Sequence, residues 1–149
     1  MNPQKILSTW IYVTTSEVSL PLVKVSLRKG KSPDCKRAIL DGIHAALVEA
    51  FVIPDHDRHQ QIYELDAEHF EIPPTKSNSF VVVEIIAFKG RSLEAKRKLY
   101  SAITRNLSGS PGITGDDILI ILHESPTENW CIREGRPASE TGVGFKIDV

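Results

Sequence analysis

The 149-residue chain has two cysteines, Cys35 and Cys131, too few for a disulfide framework. They suit a reducing compartment, each as a small packed side chain. Neither sign of charge is in excess: 18 Lys+Arg stand against 19 Asp+Glu. A non-specific nucleic-acid binder needs a basic surplus that is missing here. No apolar run reaches the roughly 18 residues of a membrane span. Met1–Leu20 has one lysine, an apolar stretch broken by Ser8 and Thr9, and no small-residue cleavage site, so it does not read as a signal peptide. Phosphate-binding Gly-x-Gly-x-x-Gly and P-loop patterns are absent. Ser108-Gly109-Ser110-Pro111-Gly112 is not a Gly-x-Ser-x-Gly elbow and reads as a helix stop. What remains is an ordinary globular composition, 41% hydrophobic and 25% charged, long enough for one domain with its own core. A cytoplasmic protein without nucleic-acid or membrane partners is expected.

The chain repeats itself. Shifted by 60 residues it aligns without a gap: Lys29-Gly30-Lys31-Ser32 on Lys89-Gly90-Arg91-Ser92, Lys36 on Lys96, Ile43 on Ile103, Leu47 on Leu107, Ile53 on Ile113, Asp57 on Asp117 and Glu64 on Glu124. Each unit reads strand, turn, helix, strand. The opening strands are Leu22–Leu27 and Phe80–Phe88, the latter apolar enough to be buried on both faces. Ser32 caps the first helix with Pro33 at its first position, and Ser92 caps the second. Ile39, Ile43, Leu47 and Ala50 form one apolar helix face; Leu99, Ile103 and Leu107 form the other. Closing strands fall at Gln60–Leu65 and Asp117–His123, and Glu71–Ser79 links the halves. Two right-handed crossovers predict an α+β fold, a four-stranded sheet with two helices on one face. The opposite sheet face is then apolar and uncovered, which favours burial between subunits. Phe145–Val149 is expected to add a short strand to an edge.

Three clusters carry possible chemistry. Lys89 and Arg91 flank Gly90 at the end of a buried strand, where they suit an anionic group such as a carboxylate; a solvated turn is the plainer alternative. Pro54-Asp55-His56-Asp57-Arg58-His59 holds two acids and two histidines. It lacks an accompanying metal motif, so no metal is expected; Asp57 is placed to polarise a water. Trp10 and Trp130 are single aromatics whose plain reading is packing.

Pro21-Leu22-Val23-Lys24, Pro54-x-x-Asp57-Arg58-x-Gln60, Phe88-x-Gly90-Arg91-Ser92 and Glu128-Asn129-Trp130, in this order on a duplicated β-α-β unit, resemble the tautomerase superfamily. The branch they resemble is the malonate semialdehyde decarboxylase group. The resemblance covers Pro21 to about Ala138. It implies a homotrimer, no cofactor, and an amino-terminal proline as the catalytic group. A terminal proline is a secondary amine whose pKa falls toward neutrality in a desolvated pocket near cations, so it can move protons at carbon. Carried over by position, Pro21 is the amine, and Arg91 with Lys89 binds the substrate carboxylate. Asp57 orients water or assists loss of carbon dioxide, His59 lines the substrate, and Trp130 and Ile132 form an apolar wall. The family pattern has arginine at Lys89, tyrosine at His59 and an aromatic at Ile132. The additional arginine and histidine of the cis-chloroacrylate dehalogenases are replaced by Phe88 and Val48, which argues against hydrolytic dehalogenation.

Pro21 is internal in this chain, and an amide nitrogen has no basic lone pair. Residues 1–20 therefore read as an extension ahead of a domain spanning 21–149. Either Leu20 is the true initiator or a protease trims the extension, and Pro21 becomes terminal; or the extension stays, and the protein is a small-acid binder or oligomeric interaction protein of the same fold. In that last case Trp10-Ile11-Tyr12-Val13 is expected to pair as an edge strand or cover a neighbour's pocket.

Overall fold

Two serines start the two long helices. Ser32 Oγ accepts the Cys35 N–H at 3.1 Å and Ser92 Oγ accepts the Ala95 N–H at 3.1 Å, the same cap at equivalent places in the repeat. The computed structural model describes residues 21–149; the expectation for Trp10–Val13 lies outside them. The elements are β1 (Leu22–Arg28), α1 (Pro33–Phe51), β2 (His59–Leu65), β3 (Val81–Phe88), α2 (Leu93–Gly109) and β4 (Ile118–Ser125). A small appendage follows: β5 (Cys131–Arg133), β6 (Arg136–Pro137) and α3 (Ala138–Thr141).

The sheet order is β2-β1-β3-β4. β1 runs parallel to β2 and β3 parallel to β4, while β1 and β3 meet antiparallel at the centre, as two crossovers related by a pseudo-twofold require. Alternate residues Val23, Val25 and Leu27 of β1 and Val81, Val83 and Ile85 of β3 pack against Ile39, Ile43, Leu47, Leu99, Ile103 and Leu107, so both helices cover one sheet face. The repeat extends to its ion pairs: Lys36–Glu64 at 2.9 Å and Lys96–Glu124 each tie a helix to the strand that follows it.

Three expectations need correction. Val82, Glu84 and Ile86 are only half-buried, so β3 is sealed on one face and not two. The open face is mixed rather than apolar: Tyr63, Leu119 and Ile121 are exposed there, but His123 pairs with Glu84 at 3.1 Å. Phe145–Val149 is not a strand either. Its side chains turn inward, Phe145 and Ile147 onto Phe88 and Val149 onto the main core, and the Val149 carbonyl accepts the Ser92 N–H at 2.8 Å. Packing against Phe88, and not ladder pairing, decides its course.

Candidate active site

The sheet brings every sequence-predicted site residue to one pole. Leu22 pairs with His59 on one side and with Ile86 on the other. Pro21, one residue earlier and buried, therefore lies at the starts of β1 and β2 and at the end of β3. There Phe88 leads into the Gly90–Arg91 turn, and Lys89 donates its N–H to the Ser125 carbonyl at 2.9 Å, closing the end of β4.

Arg91 is the centre of charge at this pole. Only 6% exposed, it donates from Nη1 to the Phe88 carbonyl at 2.9 Å, and its guanidinium sits 4.7 Å over the Phe51 ring at the end of α1. Among the described residues its buried Nε has no acceptor, and a buried N–H left unpaired is a donor that an anion can satisfy. Burial lowers its pKa, and the carboxylates of Glu124 and Asp148 push it back up. A guanidinium keeps its charge under both influences. The two cations of the turn are thus unequal, since Lys89 is exposed and Arg91 is not.

Gly90 has φ +144°, and a Cβ there would lie 2.8 Å from Ile147 Cγ2 and 2.9 Å from Asp148 Oδ1. Only glycine lets the carboxy-terminal segment seat against this turn. Trp130 and Ile132 join Phe88, Phe145 and Ile147 in an apolar cluster; the Trp130 ring meets Phe88 edge-on at 5.0 Å, with its Nε1 buried and unpaired.

Asp57 is 4% exposed, on a turn in which its N–H bonds the Pro54 carbonyl at 3.0 Å. Three contacts tie this turn to α1. His44 Nε2 donates to the Asp55 carbonyl at 2.6 Å, Arg58 pairs with Asp41 at 2.6 Å, and Gln60 Nε2 donates to the Leu40 carbonyl at 3.1 Å. His59 is exposed at the start of β2. Among the described residues, neither His56 nor His59 belongs to a group of three or more ligand-bearing side chains. Among those residues such a group occurs at Asp66, Glu68 and His69, all exposed. An open groove of 510 Å³ between α1 and α2, lined by Asp41, Gly42, Arg105 and Asn106, holds none of the expected site residues.

Sequence reasoning missed Phe51, the platform under Arg91, and His44. Phe51 carries no signal beyond an apolar helix end. His44 does: it interrupts the apolar α1 face between Ile43 and Leu47, where the second unit has Thr104.

Two family models, both described as tautomerase enzyme, match this chain, one over residues 57–133 and the other over 21–76. Probable tautomerase YrdN of Bacillus subtilis (strain 168) is 28% identical over 128 residues, 83% of this chain and 98% of its own length. A solved structure of malonate semialdehyde decarboxylase, described with decarboxylase and hydratase activities, is similar at a TM-score of 0.74 and 30% identity, over 82% of this chain and 98% of that one. The fused 4-OT symmetric trimer is similar at a TM-score of 0.71 and 25% identity, over 82% and 99% of the two chains.

Proposed function

The chain belongs to the tautomerase superfamily, in the branch of malonate semialdehyde decarboxylase, and from that footing we propose that it is a cofactor-independent tautomerase or decarboxylase of small oxo or enol carboxylates. Arg91 anchors the substrate carboxylate, with Lys89 adding a second, solvent-facing positive charge. Pro21, once its nitrogen is a terminal amine, moves the proton at carbon. Asp57 orients water or assists departure of carbon dioxide. Trp130 and Ile132 wall the site, and His59 borders it. For a 3-oxo acid, the cations hold the carboxylate while the site excludes the water that would otherwise stabilise it. Tyr63, Leu119 and Ile121 on the open sheet face, with a trimeric 4-OT relative, support assembly as a homotrimer.

One observation carries the reading: a buried guanidinium with a vacant Nε donor stands at the strand end that the sheet register aligns with Pro21. The test compares the full chain with a chain beginning at Pro21, on enol and 3-oxo acids. The shorter chain is expected to be the active one, and equal rates would remove the amine from the mechanism. The internal position of Pro21 favours a second reading, a non-catalytic small-acid binder. It requires that carboxylates raise the melting temperature of the full chain, that Arg91→Ala abolish this, and that neither chain turn over substrate.

A further inference from the structure

The duplication supplies an internal control for each residue of the reactive pole, because the same turn is built twice. In the first unit the Asp57 N–H bonds the Pro54 carbonyl at 3.0 Å; in the second the Asp117 N–H bonds the Thr114 carbonyl at 2.9 Å. The positions beneath the turn differ. The second unit packs the Thr104 methyl tightly on Gly115, where a Cβ would lie 3.0 Å from Thr104 Cγ2. In the first unit the equivalent pair is His44 and Asp55, and packing is replaced by a hydrogen bond from His44 Nε2 to the Asp55 carbonyl at 2.6 Å. The carbonyl can only accept, so Nε2 carries the proton. His44 is 5% exposed on a helix face that is otherwise apolar. A turn of this shape does not need a histidine, as the second unit demonstrates. The hydrogen bond is an addition confined to the unit whose aspartate lies just before β2, at the strand end that pairs beside Pro21.

We infer that His44 is a positioning residue: it fixes the Pro54–Asp57 turn from below and so sets where the Asp57 carboxylate stands. The inference rests on the role of Asp57 proposed above. A group held to within a fraction of an ångström matters because a displacement of about 1 Å can cost roughly a hundredfold in rate.

The test grafts the second unit's solution into the first. His44→Thr with Asp55→Gly copies a packing that the fold already accommodates; His44→Gln keeps an N–H donor at comparable reach. Amide exchange in the full chain is expected to quicken about three- to tenfold over residues 53–58 in the graft, with residues 113–118 as the unchanged reference, and to return toward the parent in His44→Gln. In the chain beginning at Pro21, turnover of a 3-oxo acid is expected to lose about tenfold or more in kcat with KM little changed, and the graft should add nothing further in an Asp57→Asn background. Unchanged exchange over 53–58 overturns the inference, as does a graft that costs the same with and without Asp57. If the chain beginning at Pro21 does not turn over, that failure falls on the proline mechanism, and the exchange result alone decides on His44. If Asp57→Asn keeps full activity while exchange quickens in the graft, the proposed role of Asp57 fails, and with it the service of His44 to the reaction.

Discussion

Gly30 and Gly90 occupy the same place in the two units, and replacing each by alanine separates backbone strain from the close approach of the carboxy-terminal segment at Gly90. Both have positive φ, +114° and +144°, so each substitution forces an L side chain into a region costing about 1–3 kcal/mol. The reduced freedom of the unfolded chain is the same for both and cancels. Their surroundings are not the same. A Cβ on Gly30 meets nothing within 4 Å; on Gly90 it meets Ile147 Cγ2 at 2.8 Å and Asp148 Oδ1 at 2.9 Å. The exposed carboxylate swings away at little cost, but Ile147 is branched and packed in the Phe88 cluster, so the segment itself must shift. Overpacking of this kind costs about 1–2 kcal/mol. If the shift breaks the Ser92 N–H bond to the Val149 carbonyl, about 1 kcal/mol more is lost. Gly90→Ala should therefore be about 2 kcal/mol less stable than Gly30→Ala in urea unfolding, with equal m-values. Exchange of the Ser92 amide should quicken only in Gly90→Ala. Equal stabilities with an unchanged Ser92 amide would show that the carboxy-terminal segment does not seat on this turn.

Three further expectations follow from paired positions. The Asp117 carboxyl is held below the usual carboxylate range, chiefly by the Ser77 hydroxyl and N–H that donate to it and less by Lys76 and Lys31. A depressed folded pKa stabilises above the unfolded value of about 3.9 and ceases to do so as pH falls through the folded value. Ser77→Ala should thus lower the urea midpoint at neutral pH and converge with the parent in acid. Val52 ends α1 in the left-handed region at φ +54° while 65% exposed, where the second unit has Gly112 at φ +102°. Val52→Gly relieves a strain of about 1–2 kcal/mol for little lost packing, and calorimetry should show net stabilisation of about 0.5–1 kcal/mol. Glu124 bonds Lys96 and also faces Arg91, whereas Glu64 bonds Lys36. Glu124→Gln should cost about 1–2 kcal/mol by denaturant titration and Glu64→Gln about 0.5, because only the former removes a countercharge from a buried guanidinium.

Much of the scaffold was legible because its physics is local. Ser32 and Ser92 announce caps, Ile39, Ile43 and Leu47 announce a helix face by spacing alone, and the 60-residue offset fixes the topology once one unit is read. The misread parts depend on contacts between distant segments. Phe145 to Val149 alternates well enough for a strand, yet its fate is settled by Phe88 and Gly90, more than fifty residues away in the sequence. Lys89 and Arg91 look equivalent in a four-residue turn. Only the position of Phe51 reveals that one head is buried over an aromatic ring and the other is left to solvent. Trp130 and Ile132 were expected as a wall, and the structure groups them around Phe88, a residue read as a strand end and motif position and not as part of that wall.

Duplication also turns sequence difference into a guide to chemistry. Where the units agree, in Ser32 and Ser92, Lys36 and Lys96, Ile43 and Ile103, the shared residue answers a demand of the fold that both halves make. Where they differ at equivalent backbone, the fold tolerates either residue and the difference needs another cause. The departures gather at one pole. Arg91 is buried where Lys31 reaches the Asn78 carbonyl at 3.4 Å, His44 stands for Thr104, and Val52 accepts a conformation for which Gly112 is the unstrained choice. At the opposite pole Asp117 is engaged by Ser77 of the linker, so that carboxylate serves to hold the two halves together. Asp57 occupies the same turn just ahead of β2, beside the strand that Pro21 precedes. One pole of the duplicated scaffold is committed to joining the units, and the proposed function assigns the substrate to the other.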